Sequence, residues 1–360
     1  MSLLFSDANV DKCIRPSDSF ELRQIYLLLT RKCNLSCTHC IRSSTPFHRD
    51  MIDTQLALDI LQQLSNLRRE ATLMISGGEP TLHPDFKQIL LAGLERFDRV
   101  VVNSNGLRLA PLIEVCRHPA TEVQISIDGD DTTHDRIRGN GTFGKTIANI
   151  NRLAGSGIFV TVATTVTNSN VASIEQLDRV LADTQFTRWN VKRVVGSGRA
   201  SDSDDISTND WNQLVSQLRQ KTLNPDRLRI STMFSDESIQ SVSCMVGTSE
   251  GGRRVSNANC GTGRSKLYVN PNGSVYPCAC MEQRIVGSFV NQPASEILNF
   301  LSNIEIEPAL ESVCRLCPAW EVCRGGCPGA AQRTIAPALG DPRCSLAAAG
   351  RIDAGVSNDS

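Results

Sequence analysis

QIYLLLTRKCNLSCTHC (residues 24–40) opens with an apolar run too short for a helix and closes on three cysteines spaced C-x3-C-x2-C. The run reads as a buried strand, which places Cys33, Cys37 and Cys40 in the loop at its C-terminal end. The same rhythm continues downstream. TLMIS (72–76), RVVVNS (99–104), EVQISID (122–128), FVTVATTV (159–166) and TRWNVKRVV (187–195) read as further strands. TQLALDILQQLSNL (54–67), DFKQILLAGLERF (85–97), PLIEVCRH (111–118), FGKTIANINRLAGSG (143–157) and VASIEQLDRVLAD (171–183) read as the helices between them. Asp53 and Thr54 cap the first helix, and Pro84 with Asp85 starts the second. Strand and helix alternating this often implies a parallel sheet with right-handed crossovers, here an open or partial α/β barrel. Strand ends on that edge are where α/β folds bind ligands.

After Val195 the rhythm breaks. GSGRASDSDDISTND (196–210) reads as a polar surface loop and WNQLVSQLRQKT (211–222) as one more helix. The stretch 196–250, with Trp211, reads as solvated surface or as part of a substrate path. From about residue 240 to 348 there are short strand candidates, many turns and most of the cysteines. Such a segment is expected to bury little core and to draw its stability from bound metal.

The chain has 360 residues, 40% of them apolar and 21% charged, which allows one large or two moderate domains with a substantial core. Thirty-seven Lys and Arg balance 38 Asp and Glu, so no overall field draws it toward nucleic acid or an anionic membrane. No apolar run reaches the ~20 residues of a membrane span, and charges fill the N-terminal positions where a signal peptide is apolar; the expectation is a cytoplasmic protein. Fourteen cysteines then point to metal rather than to the disulfides of small secreted domains. They fall in two groups, Cys33 to Cys40 and Cys244 to Cys344, with Cys13 and Cys116 apart. These last two read as small buried apolar residues.

Three thiolates from one loop leave one iron of a [4Fe–4S] cluster without a protein ligand, open to a substrate or cofactor. Structural zinc is the competing reading, but it favours four ligands in paired C-x2-C units. The triplet, with the ring of His39 before its last cysteine, resembles the radical S-adenosylmethionine (SAM) superfamily. The resemblance spans roughly residues 24–200. It implies a partial (β/α)6 TIM-like barrel whose open iron is chelated by SAM, which is cleaved to methionine and a 5′-deoxyadenosyl radical. Gly77-Gly78-Glu79-Pro80 matches the family's GGEP turn, whose main chain and acidic group hold the methionyl ammonium. Asn103-Ser104-Asn105-Gly106 and Ser126-Ile127-Asp128-Gly129 resemble its next two strand-end motifs, with Ser126 touching SAM. His134 to Gly139 resembles its HDxxRG segment, which gives Arg138 the SAM carboxylate and leaves Arg136 as a solvated charge.

Cys314-x2-Cys317-x5-Cys323-x3-Cys327 and Cys344, preceded by Cys260 and Gly273-x4-Cys278, resembles the SPASM extension of peptide-modifying radical SAM enzymes. That resemblance implies a small irregular cysteine-rich domain with two auxiliary [4Fe–4S] clusters. The outer one takes Cys314, Cys317, Cys323 and Cys344; the inner one takes Cys260, Cys278 and Cys327. Its fourth ligand stays open between Cys244, which is preferred, Cys280, and an iron with no protein ligand. A pair of zinc ribbons is the alternative. The expected organisation is an extension (1–23), a radical SAM core (24–200), a bridge (201–240), a SPASM domain (241–348) and a tail (349–360).

The function so implied is a maturase that abstracts a hydrogen from a ribosomally made precursor peptide and forms a carbon–carbon or carbon–heteroatom crosslink. An electron donor such as flavodoxin or ferredoxin is implied. With only 23 residues ahead of the first strand, leader binding is expected to fall to a separate protein or to the bridge. Sulfatase maturation is the nearest alternative, but Ala279 stands where those enzymes have a catalytic aspartate. Peptide epimerisation would need a thiol donor, Cys280 or Cys116. A non-catalytic iron–sulfur carrier or a zinc scaffold would leave the SAM-contact motifs without work.

Overall fold

The computed structural model describes residues 20–231, 262–263, 265–304, 314, 325–331, 341 and 343–344. Cys13, Cys244, Cys260, Cys317 and Cys323, and the tail, lie outside the described residues.

The alternating segments fold as their patterns dictate. The chain runs β1 (Gln24–Leu28), α1 (Thr54–Arg68), β2 (Thr72–Ser76), α2 (Phe86–Arg96), β3 (Arg99–Ser104), α3 (Leu109–Val115) and β4 (Thr121–Ser126). It continues through α4 (Asp131–Arg138), α5 (Thr142–Gly155), β5 (Phe159–Val166), α6 (Ile174–Ala182), β6 (Arg188–Arg193), α7 (Thr208–Lys221) and β7 (Leu228–Ile230). Neighbouring strands from β1 to β7 pair in parallel and in chain order. This is the partial α/β barrel expected, with one strand more than the six anticipated. Asp53 caps α1, its Oδ1 accepting from Leu56 N at 3.0 Å. That helix buries Ala57, Ile60, Leu61 and Leu64 in the main core, and each of the three larger side chains is worth about 1.5–3 kcal/mol when fully buried.

Three features depart from the sequence reading. The first is α4, which carries a single buried apolar residue, Ile137, and is therefore invisible to periodicity. Its ends make it: Asp130 accepts from Thr133 N at 2.9 Å, Asp131 lies in the first turn, Arg136 and Arg138 in the last, and Gly139 stops it at φ 128°. The second is Trp211, neither solvated nor on a substrate path, because α7 turns it fully into the main core.

The third is the cysteine-rich part, which does bury core. Its strands β8 (Lys266–Val269), β9 (Ser274–Tyr276) and β10 (Gly287–Ser288) extend the same sheet, which reads β10-β9-β8-β1-β2-β3-β4-β5-β6-β7. β8 lies parallel to β1, with Tyr26 opposite Tyr268. Leu267, Val269 and Val275 join the main core, as do Ile297 and Leu301 of α8 (Ala294–Asn303). No helix of the described residues is long and apolar enough to cross a membrane.

Candidate active site

The cysteine loop leaves β1 and is fixed from four directions. At the end of β2, Gly78 N donates to Thr30 O at 2.7 Å and Glu79 N to Lys32 O at 3.0 Å. A Cβ on Gly77 or Gly78 would come within 2.4 Å of Thr30 O or Lys32 O, so the glycine pair lets main chain seat on main chain beneath Cys33. From the end of β3, Asn105 Nδ2 donates to Asn34 Oδ1 at 2.8 Å. From α4, Ile137 O accepts from Thr38 N at 3.1 Å. After β6, Arg199 Nε donates to Cys37 O at 2.8 Å and its Nη2 to Ser44 O at 2.9 Å. Gly198, at φ +67°, lies so close that a Cβ would stand 2.4 Å from Cys40 O. The start of 196–210 is thus a clamp on the cysteine loop rather than a free surface loop.

Cys33 and Cys37 are buried and Cys40 is half-buried. Burial pushes the Cys33 thiol up to about 12 and raises Cys37 as well. Thiols in such a place ionise when a metal takes the proton's position. N–H groups already point at the sulfurs: Leu35 N at 3.4 Å and Asn105 Nδ2 at 3.8 Å to Cys33, Arg138 Nη1 at 3.8 Å to Cys37. Three cysteines of one loop among donors to thiolate sulfur fit an iron–sulfur cluster with one open iron.

Behind the loop, Asp128 is completely buried and binds Arg138 through Nε and Nη2, each at 2.6 Å, and His39 Nε2 at 2.9 Å. Its other oxygen accepts from Thr165 N at 2.9 Å. Burial alone would raise this carboxyl, but Arg138, the contact with His39 and the Thr165 amide outweigh it and hold Asp128 far below the usual range. Arg138 is correspondingly raised: burial opposes its charge, and Asp128 with Cys37 favours it. Arg138, expected to take the SAM carboxylate, thus presents its fork to a carboxylate of the chain itself. His39 Nδ1 is buried with no hydrogen-bond partner among the described residues, a polar atom that a cofactor's group would satisfy. Nearby His134, lowered to about 4 chiefly by burial and then by Arg138, is neutral and accepts from Asp128 N at 3.3 Å.

Glu79, which the family resemblance gives to the methionyl ammonium, is held by the chain itself. Its carboxylate is fully buried and accepts from Thr81 Oγ1 at 2.6 Å, Ser104 Oγ at 3.0 Å and Asn105 N at 2.8 Å. Burial pushes it upward against these bonds. It ties the end of β2 to the end of β3. Ser126 ends β4 half-buried, on the lumen side with Gln124.

The lumen is polar in layers. Glu122 binds Arg99 at 2.5 Å and Thr161 at 2.6 Å, with Arg188 at 3.8 Å. Above it Gln124 bridges Asn103 at 2.8 Å and Asn190 at 3.4 Å. Two residues further along β6 lies Lys192, exposed at its surface yet partly desolvated by the groups around it. That desolvation lowers its pKa; Asp128 and Cys280 oppose the shift, while Lys266 and Arg138 add to it. No carboxylate pairs with it among the described residues.

A seam joins the two regions. Tyr26 stacks on Tyr268 at 4.1 Å and Tyr268 on Tyr276 at 5.6 Å. Arg42, two residues after Cys40, donates to Tyr276 Oη at 2.7 Å, two residues before Cys278. Glu282 closes the seam onto Arg31 and Arg42.

Of the second group, Cys278 and Cys327 are buried, and Cys280, Cys314 and Cys344 half-buried. A hydrogen bond from Cys280 holds Cys278 below the usual thiol range. Buried Asp341 knits the last segments: its Oδ2 accepts from Cys327 N at 3.1 Å, its O from Cys344 N at 3.2 Å, and it pairs with Arg343 at 2.7 Å. Arg343 in turn reaches Val194 O at 3.3 Å, beyond β6. The sequence reading missed Asp128, Asp341 and the Gly198-Arg199 clamp. Asp128 lay inside a quoted motif, whereas the clamp has no local pattern that marks it. Cys116 is buried, its thiol pushed up to about 12, as a packing residue would be.

Residues 27–181 match the radical SAM superfamily, and residues 260–318 match an iron–sulfur cluster-binding domain, SPASM. Mycofactocin maturase MftC of Mycobacterium tuberculosis is 28% identical over 338 residues, covering 88% of this chain and 81% of that protein. The AdoMet-dependent heme synthase of Methanosarcina barkeri is 28% identical over 315 residues, covering 82% and 88%. Among solved structures, Streptococcus suis SuiB bound to its precursor peptide SuiA matches with a TM-score of 0.74 at 16% identity, covering 91% of this chain and 76% of that one. At that identity the likeness speaks to the fold.

Proposed function

From the premise that this chain carries a radical SAM domain followed by a SPASM domain, we propose that it is a peptide maturase that oxidatively crosslinks a ribosomally made precursor. The observation that carries the reading is the hydrogen bond from Arg42 to Tyr276 Oη, at 2.7 Å, which sets the loop of Cys40 against the turn that leads into Cys278. A substrate entering there lies between an initiating site and a redox site, which a two-step oxidation requires. The curated relative named a maturase and the fold of a protein solved with its precursor peptide favour a peptide as that substrate.

In this proposal Cys33, Cys37 and Cys40 hold the catalytic cluster. The main chain of Gly77 and Gly78, together with Ser126, holds SAM. Arg138, locked by Asp128 beside Cys37, supplies the positive charge that draws the SAM carboxylate. Once bound, the cluster and SAM supply a 5′-deoxyadenosyl radical. The chain's part is to place one C–H bond and exclude water, which the polar lumen and the Arg42–Tyr276 seam are arranged to do. Across one turnover the peptide gives up two hydrogen atoms, beside which methionine, 5′-deoxyadenosine and a proton appear. The first electron comes from a flavodoxin- or ferredoxin-type donor, and the enzyme works in the cytoplasm. Ala279 disfavours sulfatase maturation, and burial of Cys116 removes it as a hydrogen donor for epimerisation.

The test is anaerobic co-expression with short peptides encoded beside its gene, followed by mass spectrometry. A peptide lighter by two hydrogen atoms and linked between two residues is the expected outcome. An unchanged mass with an inverted centre, or loss of carbon dioxide, would sink the crosslinking reading.

A further inference from the structure

We propose that Cys280 is the fourth ligand of the inner auxiliary cluster, the one the family pattern leaves open, beside Cys278 and Cys327. The proposal rests on the SPASM domain holding that cluster, and it replaces Cys244 as the preferred fourth ligand.

The chain leaves β9 in a tight turn, Met281 N donating to Cys278 O at 3.0 Å. The turn folds Cys280 back on Cys278: its N–H lies 3.4 Å from Cys278 Sγ, and the two thiols are themselves hydrogen-bonded. Two soft donors are thereby presented from one corner. Opposite stands the short helix Pro328–Ala331, which begins directly after Cys327. A Cβ on Gly329 would come within 2.5 Å of Cys280 Cβ and 3.5 Å of its Sγ. The side of the helix nearest Cys327 is thus pressed against Cys280, and only a residue without a side chain at 329 permits it. Cys278 and Cys280 thus share one corner, and the helix that follows Cys327 packs on Cys280, which brings the two stretches of chain together as a shared cluster needs.

Packing does not account for Cys280. It is half-buried and lies outside the main core, against Cys278 and Met281. A cysteine there as a small apolar residue would gain little. As a ligand it would set the inner cluster at the edge of the substrate space, where an electron leaves the substrate. The same assignment removes Cys280 as a hydrogen donor for epimerisation.

The experiment compares full-length wild-type, C280A, C280S and C244A proteins, reconstituted anaerobically, by iron and sulfide analysis and by electron paramagnetic resonance. Three clusters correspond to about 12 irons per chain. The proposal expects C280A to lose about one third of the iron or to gain a three-iron cluster signal. C280S should show a shifted inner-cluster signal, and C244A should match wild type. SAM binding by the N-terminal site reports that each variant is folded; should C280A fail that control, C280S decides. C280A and C280S with wild-type iron and spectrum, or C244A losing the inner signal, would overturn the assignment. Wild-type protein holding iron for one cluster would overturn it together with the auxiliary-cluster premise. Failure of the peptide-crosslinking reading leaves all these measurements unmoved, so the two ideas fail separately.

Discussion

Arg136 and Arg138 are two residues apart on one helix and differ in everything that matters. Arg136 is exposed and, among the described residues, hydrogen-bonds only Ser169 O, at 2.7 Å. Arg138 is wedged between Asp128 and Cys37. Breaking a buried ion pair costs more than the pair is worth, because the surviving charge is left without a counterion. We expect D128N to lower the unfolding free energy by about 3–5 kcal/mol and to weaken SAM binding, since Arg138 and His39 lose the group that positions them. R136A should stay within about 0.5 kcal/mol of wild type. Urea titrations of the three proteins, with SAM binding by calorimetry, check this; D128N with wild-type stability and affinity would refute it. The motif HDxxRG made Arg138 legible, and the contrast with Arg136 was readable from it. That the partner in hand is Asp128 was not, because ten residues of chain separate the two and only the return of α4 over the end of β4 brings them together. Glu79 shows the same limit: an acidic residue in a glycine turn suggests a ligand contact, whereas its burial against Ser104 and Asn105 is settled by strand order.

At the scale of elements, legibility tracks apolar patterning. The six strands expected emerge close to their expected bounds, and α1, α2 and α5 likewise, because each carries a buried face of Leu, Ile, Val or Ala. α4 was missed because capping, not burial, makes it, and β7 because three half-buried residues carry no period. The segment 196–210 was misjudged for a different reason: its polar residues suit a surface loop, yet Gly198 and Arg199 work as backbone contacts to the loop of Cys37 and Cys40. Close backbone approach is a tertiary property that composition does not encode. It does have a measurable consequence. Gly198 has φ +67°, and an added Cβ would meet the carbonyls of Cys40 and Ile41 at 2.4 and 2.5 Å, neither of which can swing aside as a side chain would. G198A should therefore displace the clamp, lower iron retention at the N-terminal site and abolish most SAM cleavage. G157A, also at positive φ but with nothing within 4 Å, should keep both. Iron analysis and 5′-deoxyadenosine yield distinguish the two variants, and equal iron in both would remove the clamp from the account.

For the molecule as a whole, the cysteine-rich part is structurally continuous with the barrel. β1 is the founding strand of the core, yet it is interior to the sheet because β8, more than two hundred residues later, pairs along it from Gln24 to Leu27. Take β8 away and those main-chain groups become an edge, while Tyr26 loses the ring stacked on it at 4.1 Å and Leu28 loses Tyr268 and Tyr276. An exposed, apolar, parallel edge is a template for association. A chain cut after residue 231 keeps all of the N-terminal cysteine loop and every motif assigned to SAM, so the idea of two independent units predicts a working, monomeric core. The sheet order predicts the opposite: the truncated protein should aggregate or self-associate on size-exclusion chromatography and reconstitute its cluster poorly. Y276F in the full chain supplies the graded comparison. It keeps the strand pairing and the ring stack but deletes the hydroxyl that Arg42 and Asn270 share, a loss of about 0.5–1.5 kcal/mol per hydrogen bond, more where a buried partner is left unsatisfied. That variant should remain monomeric and loaded. A monomeric, SAM-cleaving truncation would show that β1 tolerates being an edge and that the seam at Arg42 serves the lumen rather than the fold.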